Sequence, residues 1–253
     1  MHRRLFLLIL FASFAFSARG DDRPLGTRFA VAIEDHDVDA VKALLDGGAA
    51  ADTPIDYGEH AISPLMKAAW DRDLPIVELL VARGANVNYK TADSGETALM
   101  NAVTQEDASI VKLLLAAKAD VNPKNKYDFN AFTSAVATGN QEIVGMLLDA
   151  GAKINEGSSG LTPLTFAAAS ENIDMMKFLV TRGADVNYGA KQETQTALMT
   201  AIYSGKLESV KALIALKADV NARMKDGDTP LKAAQKGDQE DMIAVLKAAG
   251  AKK

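Results

Sequence analysis

Cysteine is absent from the 253 residues, and the chain holds only three histidines and one tryptophan. Without cysteine there is no disulfide framework, no thiolate nucleophile and no site for lipid attachment through sulfur. Two histidines, His36 and His60, lie beyond the first twenty residues, and neither stands in a recognisable catalytic arrangement. Glycine loops of the kinds that cradle phosphate, Gly-X-Gly-X-X-Gly and Gly-X-X-X-X-Gly-Lys, are missing, so no cofactor is implied. Positive charge is also in deficit, with 28 Lys and Arg against 33 Asp and Glu, a net charge of −5. That balance argues against holding nucleic acid or anionic lipid by general attraction, and it would steer a basic partner toward the protein.

What is present is a repeat. Alanine recurs at 32, 68, 102, 135, 167, 201 and 234. Twelve residues after each stands Leu44, Leu80, Leu114, Leu147, Leu179, Leu213 or Leu246, and five further on Ala49, Ala85, Ala119, Ala152, Ala184, Ala218 or Ala251. Units open near 27, 63, 97, 130, 162, 196 and 229 on Thr27, Ser63, Thr97, Asn130, Thr162, Thr196 and Thr229. Such side chains accept from the free amides of a helix start, and the prolines after Ser63, Thr162 and Thr229 suit a first helical position. A second apolar stretch, for example Ile110 to Leu115, has the spacing of a buried helix face. It stops at Gly48, Gly84, Gly151, Gly183 or Gly250, because glycine takes left-handed backbone geometry freely. One unit therefore reads as helix, turn, helix and extended hairpin, and the small alanine in the first helix lets neighbouring helices approach.

Ser63-Pro64-Leu65, Thr162-Pro163-Leu164 and Thr229-Pro230-Leu231, together with the closing runs Gly84 to Asn88 and Gly183 to Asn187, resemble the ankyrin repeat over about residues 23 to 253. The resemblance implies an all-α repeat solenoid, an ankyrin repeat stack of seven units over 21–253, working as a non-enzymatic protein-binding scaffold and a monomer. Two departures stand out. The histidine that the family places after its threonine-proline-leucine is replaced in every copy, by Ala30, Met66, Met100, Thr133, Thr165, Met199 and Lys232. Lys118 and Lys217 occupy the place of the helix-ending glycine.

Residues 1–20 combine a basic start at Arg3 and Arg4, an apolar run of about a dozen residues from Leu5 to Phe16 and a small-residue exit, which fits a secretory signal peptide. The run is too short for a membrane span of about 20 residues, so stable insertion after its removal is not expected. Arg3-Arg4 also admits a twin-arginine export signal. The absence of any Asn-X-Ser/Thr sequon leans toward a bacterial source. The expected location is thus exported, in the periplasm or the exterior.

The resemblance further implies that hairpin tips and the exposed side of each first helix line a concave surface for protein partners. On this sequence those positions include Trp70, Asp71 and Tyr203 on first helices, and Glu96, Tyr127, Phe129, Leu161, Gln195 and Asp228 on tips. Trp70 and Tyr203 stand two residues past the repeated alanine, where other copies carry small, polar or charged groups, and aromatic residues of this kind dominate interface energetics. Phe129 and Leu161 give the central tips an apolar character inside a polar or acidic rim. Two rival readings stay open: a hydrolase using surface carboxylates, and a structural module of a homo-oligomer. His36 beside Asp35 and Asp37 could be drawn as a metal site, but one acidic stretch on a turn does not supply converging ligands.

Overall fold

A computed structural model of the protein describes residues 22–58, 60–158, 160–189, 195–224 and 227–252. The expected signal segment lies outside the described residues, as do Ser159, Gln192, Glu193, Lys225 and Asp226 of the expected tips. Among the described residues fourteen helices follow in seven pairs: α1 Leu25–Glu34 with α2 Val38–Asp46, α3 Pro64–Trp70 with α4 Leu74–Ala82, α5 Ala98–Thr104 with α6 Ala108–Ala116, and α7 Ala131–Thr138 with α8 Gln141–Asp149. The remaining pairs are α9 Pro163–Ala169 with α10 Ile173–Thr181, α11 Ala197–Tyr203 with α12 Leu207–Ala215, and α13 Pro230–Lys236 with α14 Glu240–Ala248. First helices stack on first helices and second on second from one pair to the next.

Six of the seven unit-opening residues cap as their chemistry demands. Ser63, Thr97, Asn130, Thr162, Thr196 and Thr229 each accept a hydrogen bond from the amide three residues on. Thr27 does not: α1 begins at Leu25 behind Pro24, so Thr27 lies within its first turn. The start of α1 is pressed against the following linker, where a Cβ on Gly26 would come within 2.0 Å of the Pro54 carbonyl oxygen.

The repeated leucine and alanine turn out to be two ends of one hydrogen-bonded device. At the close of every second helix the alanine amide donates to the leucine carbonyl five residues back, as in Ala85 to Leu80 at 3.0 Å and Ala184 to Leu179 at 2.9 Å. The residue between helix and alanine has positive φ and donates to the carbonyl three before it, which completes a Schellman motif. The same motif ends most first helices, where the repeated alanine is the acceptor: Asp73 donates to Ala68 and Lys206 to Ala201. These alanines are almost fully buried between neighbouring first helices, where a larger side chain would force the stack apart.

Second helices carry caps of their own, from Asp37, Asp73, Asp107, Asn140 and Asn172. Asp37, within the acidic stretch of the first unit, is therefore a cap. Regular strand pairing is scarcer than the expected hairpins. Among the described residues it occurs between β1 Ile55–Asp56 and β2 Ala61–Ile62, with a single bridge from Ser158 to Leu161. The linker from Ala49 to Ser63 is the longest of those between units, long enough for two paired residues on each side of a turn.

Candidate protein-binding surface

Neighbouring units are tied by side chains reaching across each junction. Asn88, Asn155, Asn187 and Asn221 accept from the backbone amides of Asp120, Asp185, Asp219 and Lys252 in the next unit, and Asp52 accepts from Asn86. This explains the asparagine that closes four of these runs, at 88, 155, 187 and 221: its carbonyl replaces water for an amide of the following turn. His36 is used in the same way. Its ring nitrogen lies 2.8 Å from the carboxylate of Asp73, which also caps α4. His60 pairs with Asp93 at 2.7 Å. Among the described residues no three His, Asp or Glu side chains converge as a metal site would need.

The expected binding residues divide into three groups. Trp70 and Tyr203 are 50 % exposed and Tyr127 is 62 % exposed, so these aromatic rings stand in solvent on a stack whose other large apolar groups are mostly buried. Asp71, Glu96, Phe129, Leu161 and Gln195 are part-buried. Asp71 is engaged by Lys67, Glu96 accepts from the Asn125 amide at 2.7 Å, and the Phe129 ring rests on Phe166 of the next unit at 6.0 Å. Asp228 departs from the expected free tip. It is 8 % exposed and its carboxylate is held by Lys236 at 2.6 Å, so it serves the scaffold. Asn125 organises the tip between the third and fourth units: its side-chain oxygen accepts from the amides of Tyr127 and Phe129, which turns the Tyr127 ring outward.

Seven equivalent first-helix positions form one row: Glu34, Trp70, Thr104, Ala137, Ala169, Tyr203 and Lys236. All are exposed except the half-buried Ala169. The row is an open track of small side chains between two aromatic posts, about 40 Å apart at 8–10 Å per helix step. It runs from an acid to a base.

Tyr57, at the β1–β2 turn and 44 % exposed, went unread in the sequence because it lies in the linker outside the repeated positions. Burial of its hydroxyl raises the pKa above the usual phenol value; Lys67 opposes this, while Glu34 and Asp71 add to it. Lys67 bridges Glu34, at 3.3 Å, and Asp71. Burial alone would lower the lysine pKa, yet the hydrogen bond to Asp71 and the surrounding charges raise it. Lys67, one turn before Trp70 of the row, is thus engaged by two carboxylates.

A stack of paired helices with Schellman closures, inter-unit asparagine bonds and an exposed first-helix row defines a repeat solenoid. The family description "Ankyrin repeats (3 copies)" matches residues 65–158, 99–190 and 164–253, and the chain belongs to that family. Its stack is a protein–protein interaction scaffold. It is 33 % identical over 187 residues to ankyrin repeat and KH domain-containing protein mask-1 of Caenorhabditis elegans, covering 74 % of this chain and 7 % of that protein. It is 34 % identical over 119 residues to an ankyrin repeat, SAM and basic leucine zipper domain-containing protein of Echinops telfairi, covering 45 % of this chain and 24 % of the relative. The chain thus spans a quarter or less of these relatives, both eukaryotic. The crystal structure of the ankyrin repeat domain of Bcl-3 superposes with a TM-score of 0.75 at 27 % identity, over 87 % of this chain and 97 % of that one. No helix among the described residues is long and apolar enough to cross a membrane.

Proposed function

We propose that this protein is exported and binds another protein through the first-helix row and the adjoining tips, acting by occupancy and without chemistry of its own. The observation that carries the reading is the exposure of Trp70, Tyr127 and Tyr203 on a scaffold that buries most of its other large apolar groups. Rigid aromatic side chains bury large area on contact at little entropic cost, and leaving them in water has no folding rationale. Binding would serve to inhibit, support or engage the partner. Export rests on the charge and hydropathy pattern of residues 1–20, and a periplasmic or extracellular setting suits a chain without cysteine that is held by packing alone.

The test is capture from the cell envelope of the source organism, comparing the purified protein with a Trp70→Ala/Tyr127→Ala/Tyr203→Ala variant. Phe129 is left intact because its ring supports the neighbouring unit. A partner retained by the first and lost by the folded second supports the reading. A partner held equally by both places recognition on another surface and refutes it.

A further inference from the structure

Charge is graded along the stack. Residues 22–96 carry 14 Asp and Glu against 7 Lys and Arg, net −7, whereas residues 197–253 carry 7 against 10, net +3. The two exposed aromatic rings nearest the acidic end, Trp70 and Tyr57, share that end with Glu34, Asp35 and Asp71. Trp70 lies one helical turn from Lys67 on α3, so ring and carboxylates occupy one face. Lys67 is part-buried and engaged by Glu34 and Asp71, which leaves Glu34, Asp35 and Asp71 with an uncompensated charge of −2 beside the rings.

We propose that the Trp70 face of the first two units docks a basic protein segment, its Arg or Lys side chains lying against the Trp70 and Tyr57 rings and beside Glu34 and Asp35. This rests on the protein-binding reading and adds the chemistry of the partner and the direction in which it lies. An indole face and adjacent carboxylates attract a cation by independent means, through the ring quadrupole and through Coulomb attraction. The graded charge orients an approaching partner with its basic part over the first two units, before any contact is made. An acidic segment is repelled there, and a wholly apolar one would leave the carboxylates desolvated without a partner.

The probe is a fluorescein-labelled peptide of alternating Arg and Ala, with its Glu-Ala counterpart as control, titrated against the purified protein by anisotropy. Saturable binding of the Arg peptide is expected, weakening as salt rises from about 50 to about 500 mM. Glu34→Lys/Asp35→Lys should weaken it at least about tenfold and Trp70→Ala about fivefold. Glu142→Lys/Asp174→Lys changes net charge equally on the exposed side of second helices and should alter affinity less than about twofold. Circular dichroism melts confirm that each variant is folded.

Equal losses from the two paired substitutions would reduce the binding to diffuse attraction and overturn the proposal. So would equal binding of the Glu peptide, or no saturation below about 1 mM. Self-association with a concentration-dependent shift of Trp70 emission would give the face to the basic end of a second copy and overturn the proposal as well. If the captured partner is lost on the triple aromatic substitution but kept by Glu34→Lys/Asp35→Lys, the protein-binding reading stands and this inference alone falls.

Discussion

Lys118 and Lys217 close their helices at φ 67° and 70°, where five equivalent units place glycine. Both still complete the Schellman pair, Lys118 donating to Leu115 at 3.0 Å with Ala119 donating to Leu114 at 2.9 Å, so the backbone accepts strain to keep a geometry that the stack demands. The space is open, since a Cβ at Gly48, Gly84, Gly151, Gly183 or Gly250 would meet nothing within 4 Å. The cost therefore lies in the dihedral alone, about 1–2 kcal/mol for an L-residue in this region. Against that, glycine loses about 0.5–1 kcal/mol through its freer unfolded chain, and removal of a cation at a helix C-terminus loses a few tenths. The net gain for Lys→Gly is about 0.5 kcal/mol at each site and about 1 kcal/mol together, because the sites lie in separate units. In urea, at a slope of about 3 kcal/mol/M, the double variant should move the midpoint up by about 0.3 M. Backbone circular dichroism and Trp70 emission are followed together, since coincident curves license a single free energy. Gly84→Lys and Gly183→Lys should shift the midpoint down by a similar amount, while Lys118→Ala, which keeps the dihedral and removes the charge, should lower it slightly. A Lys118→Gly/Lys217→Gly midpoint no higher than that of the wild type would mean that the left-handed lysines carry no net strain.

Lys206→Asn should stabilise the protein by about 1 kcal/mol in the same melts, since α12 lacks the side-chain cap that Asp or Asn gives five other second helices. Asparagine is chosen over aspartate because the Glu171 carboxylate already accepts from the Glu208 backbone amide at this helix start. Ala102→Leu places extra carbons where the first helices touch with no exposed surface, and a loss of about 1–3 kcal/mol is expected in its urea midpoint. Asp93 has its pKa lowered: desolvation pushes it up, but its own amide, the amide of Ser94, His60 and Thr91 together outweigh that. A depressed carboxylate stabilises the fold above its unfolded pKa and loses that contribution as pH falls through the folded value. The difference in stability between wild type and Asp93→Asn should therefore shrink on acidification below about pH 4, and a difference that does not change with pH would contradict it.

Much of this protein is written in local sequence. Helix starts follow from Ser, Thr or Asn before an apolar face, and helix ends from glycine, because caps and left-handed closures depend on residues within about five positions. The period of the alanines, leucines and closing alanines carries the stack itself, since identical units can bury their faces only on one another. The sequence also marked Trp70 and Tyr203 as departures from their column and placed Tyr127 on a tip, and each is half or more exposed. Thr27 misled because Pro24 starts α1 three residues earlier than the repeat suggests.

Which charged and polar groups are free was settled by folding and not by the order of residues. Asp71, Glu96 and Asp228 look like surface residues when read along the chain, yet each meets a partner that folding supplies: Lys67 one turn back, Asn125 on the neighbouring tip, and Lys236 across its own unit. His36 reads along the chain as a turn residue between two aspartates, and stacking sets it against Asp73 of the next unit. Tyr57 gained its place beside Glu34 and Asp71 when the linker folded as a hairpin over the first two units. The reason is one of range: periodicity states that units stack, while the contacts that join one unit to the next, such as Glu96 with Asn125 and His36 with Asp73, depend on distances of a few ångströms between residues some thirty positions apart, and those distances exist only once the stack has formed.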